Sequence, residues 1–177
     1  MTEHPGPLTS IMDRDQLRAV QAPLKQKYRD NPGSAIVTLR AEGAIGENAT
    51  CSVETARALV KAGLHPATGG SGQSACSGDM LLQALVACAG VTLSAVASAL
   101  GVELSGGTLA AEGDLDFRGT LGVAKDAPVG FKEIRLSISL ITDATQSQRE
   151  KLLELTKRYC VVYQTLVSGS KTTICLT

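Results

Sequence analysis

Hydrophobic and polar positions change period several times along this chain, and each change marks an element. From Ile11 to Arg29 a weak helical stripe runs through Leu17, Val20, Leu24 and Tyr28. Pro23 lies inside it, which predicts a broken helix or an arm over residues 1–32 lying on another surface. Asn31-Pro32-Gly33 reads as a turn. Residues 34–42 alternate and carry Ile36 and Val37, which predicts a strand; 43–48 reads as a loop and Ala49 to Val53 as the hairpin partner. Residues 55–62 read as a short helical turn. Gly63 to Asp79 is rich in chain breakers and is the most flexible-looking stretch. Met80 to Leu100 holds no charged residue and predicts one long helix, capped by Asp79 or Ser77 and ended by Gly101.

Residues 108–117 and 133–141 read as strands, the second with Ile134, Leu136, Ile138 and Leu140 on one face. Asp143 or Thr145 opens a helix to about Tyr159, with Leu152, Leu153 and Leu155 expected inward. Lys171 to Leu176 reads as a last strand. Strands joined by turns, with helices grouped apart, predict an α+β fold with a mainly antiparallel sheet. Residues 33–177 then form a single domain. The 80–100 segment has the length of a membrane span. It is rich in Ala, Ser and Gly, however, and Asp79 and Glu103 flank it rather than cationic or aromatic anchors. It therefore reads as the buried central helix of a soluble protein.

Composition narrows the partners. The 177 residues suit one domain, and 17 Lys+Arg balance 17 Asp+Glu, so no net field favours nucleic acid or anionic lipid. Aromatics are 3% and Trp is absent, which leaves few platforms for stacked bases. Met1 to Ser10 has no apolar stretch of a secretory leader. Cysteines at 51, 76, 88, 160 and 175, an odd number, then point to reduced thiols in the cytoplasm. Gly69-Gly70-Ser71-Gly72 lacks the Gly-Lys-Ser/Thr ending of a phosphate loop. His65 and Cys76 have only His4 as a further imidazole, so no metal site is expected. Ser168-x-x-Lys171 has the spacing of a Ser-Lys pair but falls at a turn into a strand. Glu112, Asp114 and Asp116 alternate on one strand face, with Arg118 placed to pair with one of them.

The remaining chemistry lies in two remote thiols. Cys88 sits in the middle of the charge-free helix, and Cys160 sits at the end of another. Each has two readings: a small apolar filler of a close-packed helix, or one half of a redox pair. The second requires the fold to bring their Cα atoms within about 7 Å. Cys88 lies beyond the first turn of its helix, out of reach of that helix's dipole. Burial by itself raises a thiol pKa, so a thiolate here is expected to need a nearby cation.

The segments SGDMLLQALVACAGVTL, EGDLDFRGTLGV, VGFKEIRLSISL and RYCVVYQTL occur in the order found in the OsmC/Ohr family, which this chain resembles from residue 77 to about 170. The resemblance implies an OsmC-like α+β fold, an intertwined homodimer with a long central helix pair, and a cytoplasmic stress protein. It implies a thiol-dependent peroxidase of organic hydroperoxides. Cys88 would attack, Cys160 would resolve the sulfenic acid to a disulfide, and an external dithiol rather than a cofactor would reset the pair. The family's activating Arg maps best onto Arg40, with Arg29 second. Its Glu, ten positions before the cysteine, falls on Gly78, with the shorter Asp79 adjacent. The Asn-Pro-Glu signature is also missing, which favours the broader OsmC-like group. The alternative is a non-enzymatic OsmC-like stress protein that binds a small apolar ligand.

Overall fold

The computed structural model describes residues 14–31, 42–46, 50–55, 58–122 and 124–176, with β1 and β2 below described by their backbone alone. These fall into two compact units. One comprises residues up to Ser34, Ala84–Ala110 and Ser137–Thr177; the other comprises Ala35–Gln83 and Ala111–Leu136. The elements, in chain order, are α1 (Arg14–Asp30), β1 (Glu42–Gly46), β2 (Thr50–Thr55), β3 (Ala58–Gly63), α2 (Ser77–Leu100), β4 (Gly106–Leu115), α3 (Phe117–Thr120), β5 (Phe131–Ile141), α4 (Gln146–Tyr159) and α5 (Val161–Ser168). The expected antiparallel α+β pattern and the long central helix are both present.

Four local expectations change. The helix α1 continues through Pro23 rather than breaking there. The expected strand over 34–42 falls almost wholly outside the described residues; β1 starts at its last residue, Glu42, and runs on to Gly46, where a loop was expected. Of residues 55–62, expected to turn helically, 58–62 lie in β3, whose partner is β2 in the register Thr50↔Gly63 to Thr55↔Ala58. Ala, Leu and Lys favour helix in isolation, but ladder pairing decides a segment this short. Residues 171–176 form no strand; Ile174 and Leu176 stand almost wholly in solvent.

In the unit containing β1, β2 and β3, the glycine-rich stretch is tied down. Gly63 N–H donates to Ala75 carbonyl, and Ala75 N–H to Lys61 carbonyl, each at 3.0 Å. A 3-10 turn over Pro66–Thr68 is capped by His65, whose Nδ1 accepts from Ala67 N–H at 3.0 Å. The His65 ring stacks on Phe117 with centroids 4.8 Å apart. The acidic face of β4 is neutralised by neighbours. Arg135 of β5 donates to Asp114 and Glu133, and Arg118 holds Asp116 at 2.6 Å. That last contact, made first through the Arg118 side-chain hydrogen bond, pulls the Asp116 carboxyl down to about 2.

In the other unit, α2 presents a stripe of Leu85, Ala89, Leu93, Val96 and Ala97 inward. This i, i+4 and i+3 spacing is the inner face of an amphipathic helix, although no charge marks the outer face. Leu93, Val96 and Ala97 pack with Val102 and the fully buried Leu152 of α4, flanked by Ile138 and Leu140 of β5 and by Leu155. Each such Leu or Val stabilises the fold by roughly 2 kcal/mol. Leu153, expected inward with Leu152 and Leu155, is 42% exposed. The outer face of α2 is bare in the single chain: Val91 is 73% exposed. Central position and apolar composition therefore do not bury this helix on every side.

Gly101 ends α2 with φ of 68°. Val102 N–H reaches Ala97 carbonyl at 2.9 Å and Gly101 N–H reaches Ser98 carbonyl at 3.2 Å, a Schellman closure. Thr145 and Gln148 form a reciprocal capping box that opens α4. Thr142 Oγ1 donates to Glu103 carbonyl at 2.5 Å, and Arg149 donates to the Thr142 and Ala144 carbonyls. These bonds fix the start of α4, and so the place where α4 ends.

Candidate functional site: two thiols at a helix start

The sequence around Cys160 makes a corner between two helices. Cys160 N–H closes α4 by donating to Thr156 carbonyl at 2.9 Å. Its own backbone is extended, with φ −72° and ψ 108°, so the helix stops there. Its carbonyl then accepts from Gln164 N–H at 2.9 Å, which starts α5. Gln164 Nε2 turns back to Lys157 carbonyl at 2.8 Å and satisfies one of the last acceptors of α4. The first N–H groups of α5, those of Val161, Val162 and Tyr163, have no acceptor within their own helix.

The corner brings Cys160 to Cys88. Cys160 is 1% exposed, and Cys88 on α2 is half-buried. Burial is the largest influence on each thiol and pushes both upward. For Cys88 it is outweighed by, in decreasing order, the Val162 N–H, the Cys160 thiol, the Val161 N–H and the Thr92 hydroxyl; its pKa falls below the ordinary thiol value. Cys160 goes the other way. Burial raises it, the Tyr163 N–H opposes, and the adjacent Cys88, through its hydrogen bond and its charge, raises it further. The two titrations are thus driven apart, Cys88 downward and Cys160 upward. Sulfur is a weak acceptor and Cys160 forms no side-chain cap of ordinary geometry on α5, so these are soft contacts that act by number and by the positive end of the helix.

Among the described residues, the largest influences lowering the Cys88 thiol include backbone N–H groups at the start of α5. The start of α5, rather than that of α2, is the helix terminus that favours ionisation of Cys88. Arg40 lies outside the described residues. Arg29 on α1 donates instead to Gln26 Oε1 at 2.7 Å. The two thiols are brought together; Asp79 is not with them. It lies in the first turn of α2, which starts at Ser77 with Met80 N–H on the Cys76 carbonyl, so neither Ser77 nor Asp79 is its cap. Asp79 lines a separate cavity of about 340 Å³ with His65, Cys76, Phe117 and Phe131. At Gly78 a Cβ would stand 3.3 Å from Phe131 Cζ and 3.5 Å from Leu115 Cδ1. Phe131 therefore crowds any side chain at this position. No cluster of three or more metal-ligating side chains occurs among the described residues. Sequence reasoning missed α5 and Thr92. The signal for Thr92 was its i+4 spacing from Cys88 on one helix face.

A family model described as OsmC-like protein matches residues 70–174, more than half of the chain. No curated protein matches. Among solved structures, an OsmC-like protein from Mycoplasma pneumoniae is similar with a TM-score of 0.64 at 15% identity, over 75% of this chain and 89% of its own. An organic hydroperoxide resistance protein from Elizabethkingia anophelis reaches a TM-score of 0.61 at 15% identity, over 76% of this chain and 91% of its own. The organic hydroperoxide resistance protein OhrB of Bacillus subtilis reaches 0.51 at 14% identity, over 75% and 93%. At such identities the likeness carries the fold, and it agrees with the segments that carry the family model. The chain belongs to the OsmC-like protein family.

Proposed function

We propose that this protein is a thiol peroxidase that reduces organic hydroperoxides through Cys88 and Cys160. The observation that carries the reading is the meeting of two sequence-remote thiols whose pKa values are driven apart, Cys88 down and Cys160 up. That asymmetry supports the following division of roles. The Cys88 thiolate attacks the outer oxygen of ROOH, and the O–O bond breaks heterolytically. The departing alkoxide takes a proton and leaves as ROH, while Cys88 becomes a sulfenic acid. The Cys160 sulfur then attacks the Cys88 sulfur; an S–S bond forms and water leaves. Two electrons have passed from the thiols to the peroxide, and an external dithiol returns them by exchange. No cofactor enters this cycle. Apolar neighbours on α2, with Val91 and Val161 exposed beside the thiols in sequence, suit a hydrocarbon-bearing peroxide.

A homodimer in the cytoplasm belongs to the same reading. The bare outer face of α2 and the uncovered Ile174 and Leu176 are apolar surface that a second copy would remove from water. Cys88→Ser is expected to abolish dithiol-driven turnover of cumene hydroperoxide. Cys160→Ser is expected to leave a Cys88 sulfenic acid that dimedone traps. Full turnover in Cys88→Ser would refute the mechanism. Treatment of the wild type with stoichiometric peroxide should consume two thiols per chain; an unchanged thiol count would favour the ligand-binding alternative.

A further inference from the structure

We infer that the cavity at the start of α2 is a binding site for a small, flat aromatic cation. The chain contains two phenylalanines, and both, Phe117 of α3 and Phe131 of β5, line this one space of about 340 Å³. Its lining residues all belong to the same compact unit. Glycine makes room for one ring. A Cβ at Gly113 of β4 would stand 2.5 Å from Phe131 Cε1, too close for any side chain, and one at Gly78 of α2 would stand 3.3 Å from Phe131 Cζ. The Phe131 ring thus lies against two positions that carry no side chain. Phe117 is held differently. His65 stacks on it with centroids 4.8 Å and planes 18° apart, and the His65 ring is itself tied by Nδ1, which accepts from Ala67 N–H at 3.0 Å. Two walls are therefore aromatic and positioned before any ligand arrives.

The charge in this space is negative and uncompensated. Two carboxylates line it, and no Lys or Arg among the described residues does. Asp114 is occupied, since Arg135 Nη2 donates to it at 2.9 Å. Asp79 has no ion pair or side-chain hydrogen bond among the described residues. A cation lying between the rings is attracted by their faces and by the Asp79 carboxylate together, whereas an anion gains neither. A planar amidinium edge suits a carboxylate best, because two parallel N–H groups meet its two oxygens. The volume of about 340 Å³ equals that of roughly eleven waters in the liquid, enough for one ring with a short charged arm.

Neither the aromatic walls nor Asp79 takes part in the proposed peroxide reaction, so the test needs no turnover. Cys76 serves as the reporter: it lines the cavity, and its sulfur is 3.7 Å from the point where a Gly78 Cβ would stand beside Phe131. Full-length wild type is titrated in a calorimeter with benzamidine, benzamide, benzoate and acetamidine. The first three share a shape and differ in charge; the last has the charge without the ring. Alkylation of Cys76 by iodoacetamide is followed in parallel by mass spectrometry of its peptide. Benzamidine should bind with a Kd of about 1 mM, as suits so small a ligand, and should slow Cys76 alkylation several-fold at saturation. Benzamide and acetamidine should each bind about fivefold more weakly, and benzoate should neither bind nor protect. Asp79→Asn should lower the benzamidine affinity about fivefold; Asp79→Ser replaces it if circular dichroism shows the first variant misfolded. Benzamidine that fails to protect Cys76, that binds no better than benzamide or acetamidine, or that binds the folded Asp79 variant unchanged overturns the inference. So does a Cys76 that iodoacetamide cannot reach in the native protein, because a second copy would then cover the cavity.

Discussion

Replacing Val161 with proline isolates the helix-start effect from everything else at the site. Val161 is the first residue of α5, where proline is best tolerated because its missing N–H has no helical acceptor to lose. Cys160 before it already has φ −72° and ψ 108°, the extended region that a following proline demands. The valine side chain is 68% exposed, so little packing is lost. What disappears is one N–H that favours the Cys88 thiolate. Hydrogen bonds to charged groups contribute about 1.5–3 kcal/mol. Val161 is the weaker of the two backbone donors, and sulfur accepts softly, so about half of the lower figure applies. At about 1.4 kcal/mol per pKa unit this is a rise of about half a unit. The sign is definite. Cys88 ionises in the folded protein at a pH below that of an ordinary thiol, and losing a donor moves it back up. Alkylation at Cys88, followed at a fixed pH below the midpoint, should slow about threefold. Stability should change correspondingly: the contribution from Cys88 ionisation is present at alkaline pH and lost as pH falls through its folded value, and the variant has less of it. If Val161→Pro keeps its helix content by circular dichroism and its Cys88 midpoint does not move, the α5 N-terminus is not what stabilises the thiolate.

Two further outcomes test packing and assembly. Leu152→Ala should destabilise the protein by about 3 kcal/mol and lower the thermal midpoint by about 10 °C, because Leu152 is fully buried at the centre of the core cluster. Leu153→Ala, at a side chain 42% exposed, should cost less than about 1 kcal/mol; equal losses in a calorimeter would contradict the assignment of faces. Light scattering should give twice the chain mass for wild type, and Val91→Lys on the bare face of α2 should shift the population toward single chains; a monomeric wild type would remove the proposed dimer.

A long charge-free run located α2, and local patterning located α4 and the β4 and β5 strands, since each is long enough for its pattern to outweigh local noise. Thr145 and Gln148 announced the start of α4, and Gly101 the end of α2, because caps are written in neighbouring residues. The segments at 58–62 and 171–176 were misread for a common reason. Strand formation needs a partner, which for the first exists in β2 and for the second is not found among the described residues. Helix α5 was hidden because Cys160, Val161 and Val162 read as an apolar continuation of α4, and nothing local reveals that the backbone turns extended at one residue.

The two thiols could be named from the sequence, but their relation could not. Cys88 and Cys160 are separated by β4, β5 and α4, and only the packing of Leu152 and its neighbours against α2 sets how those elements return. The source of positive potential at Cys88 is further removed still from sequence. Among the described residues it includes backbone N–H groups, which every residue except proline carries. They become donors to Cys88 only where a helix begins beside it, and that juxtaposition is a property of tertiary structure.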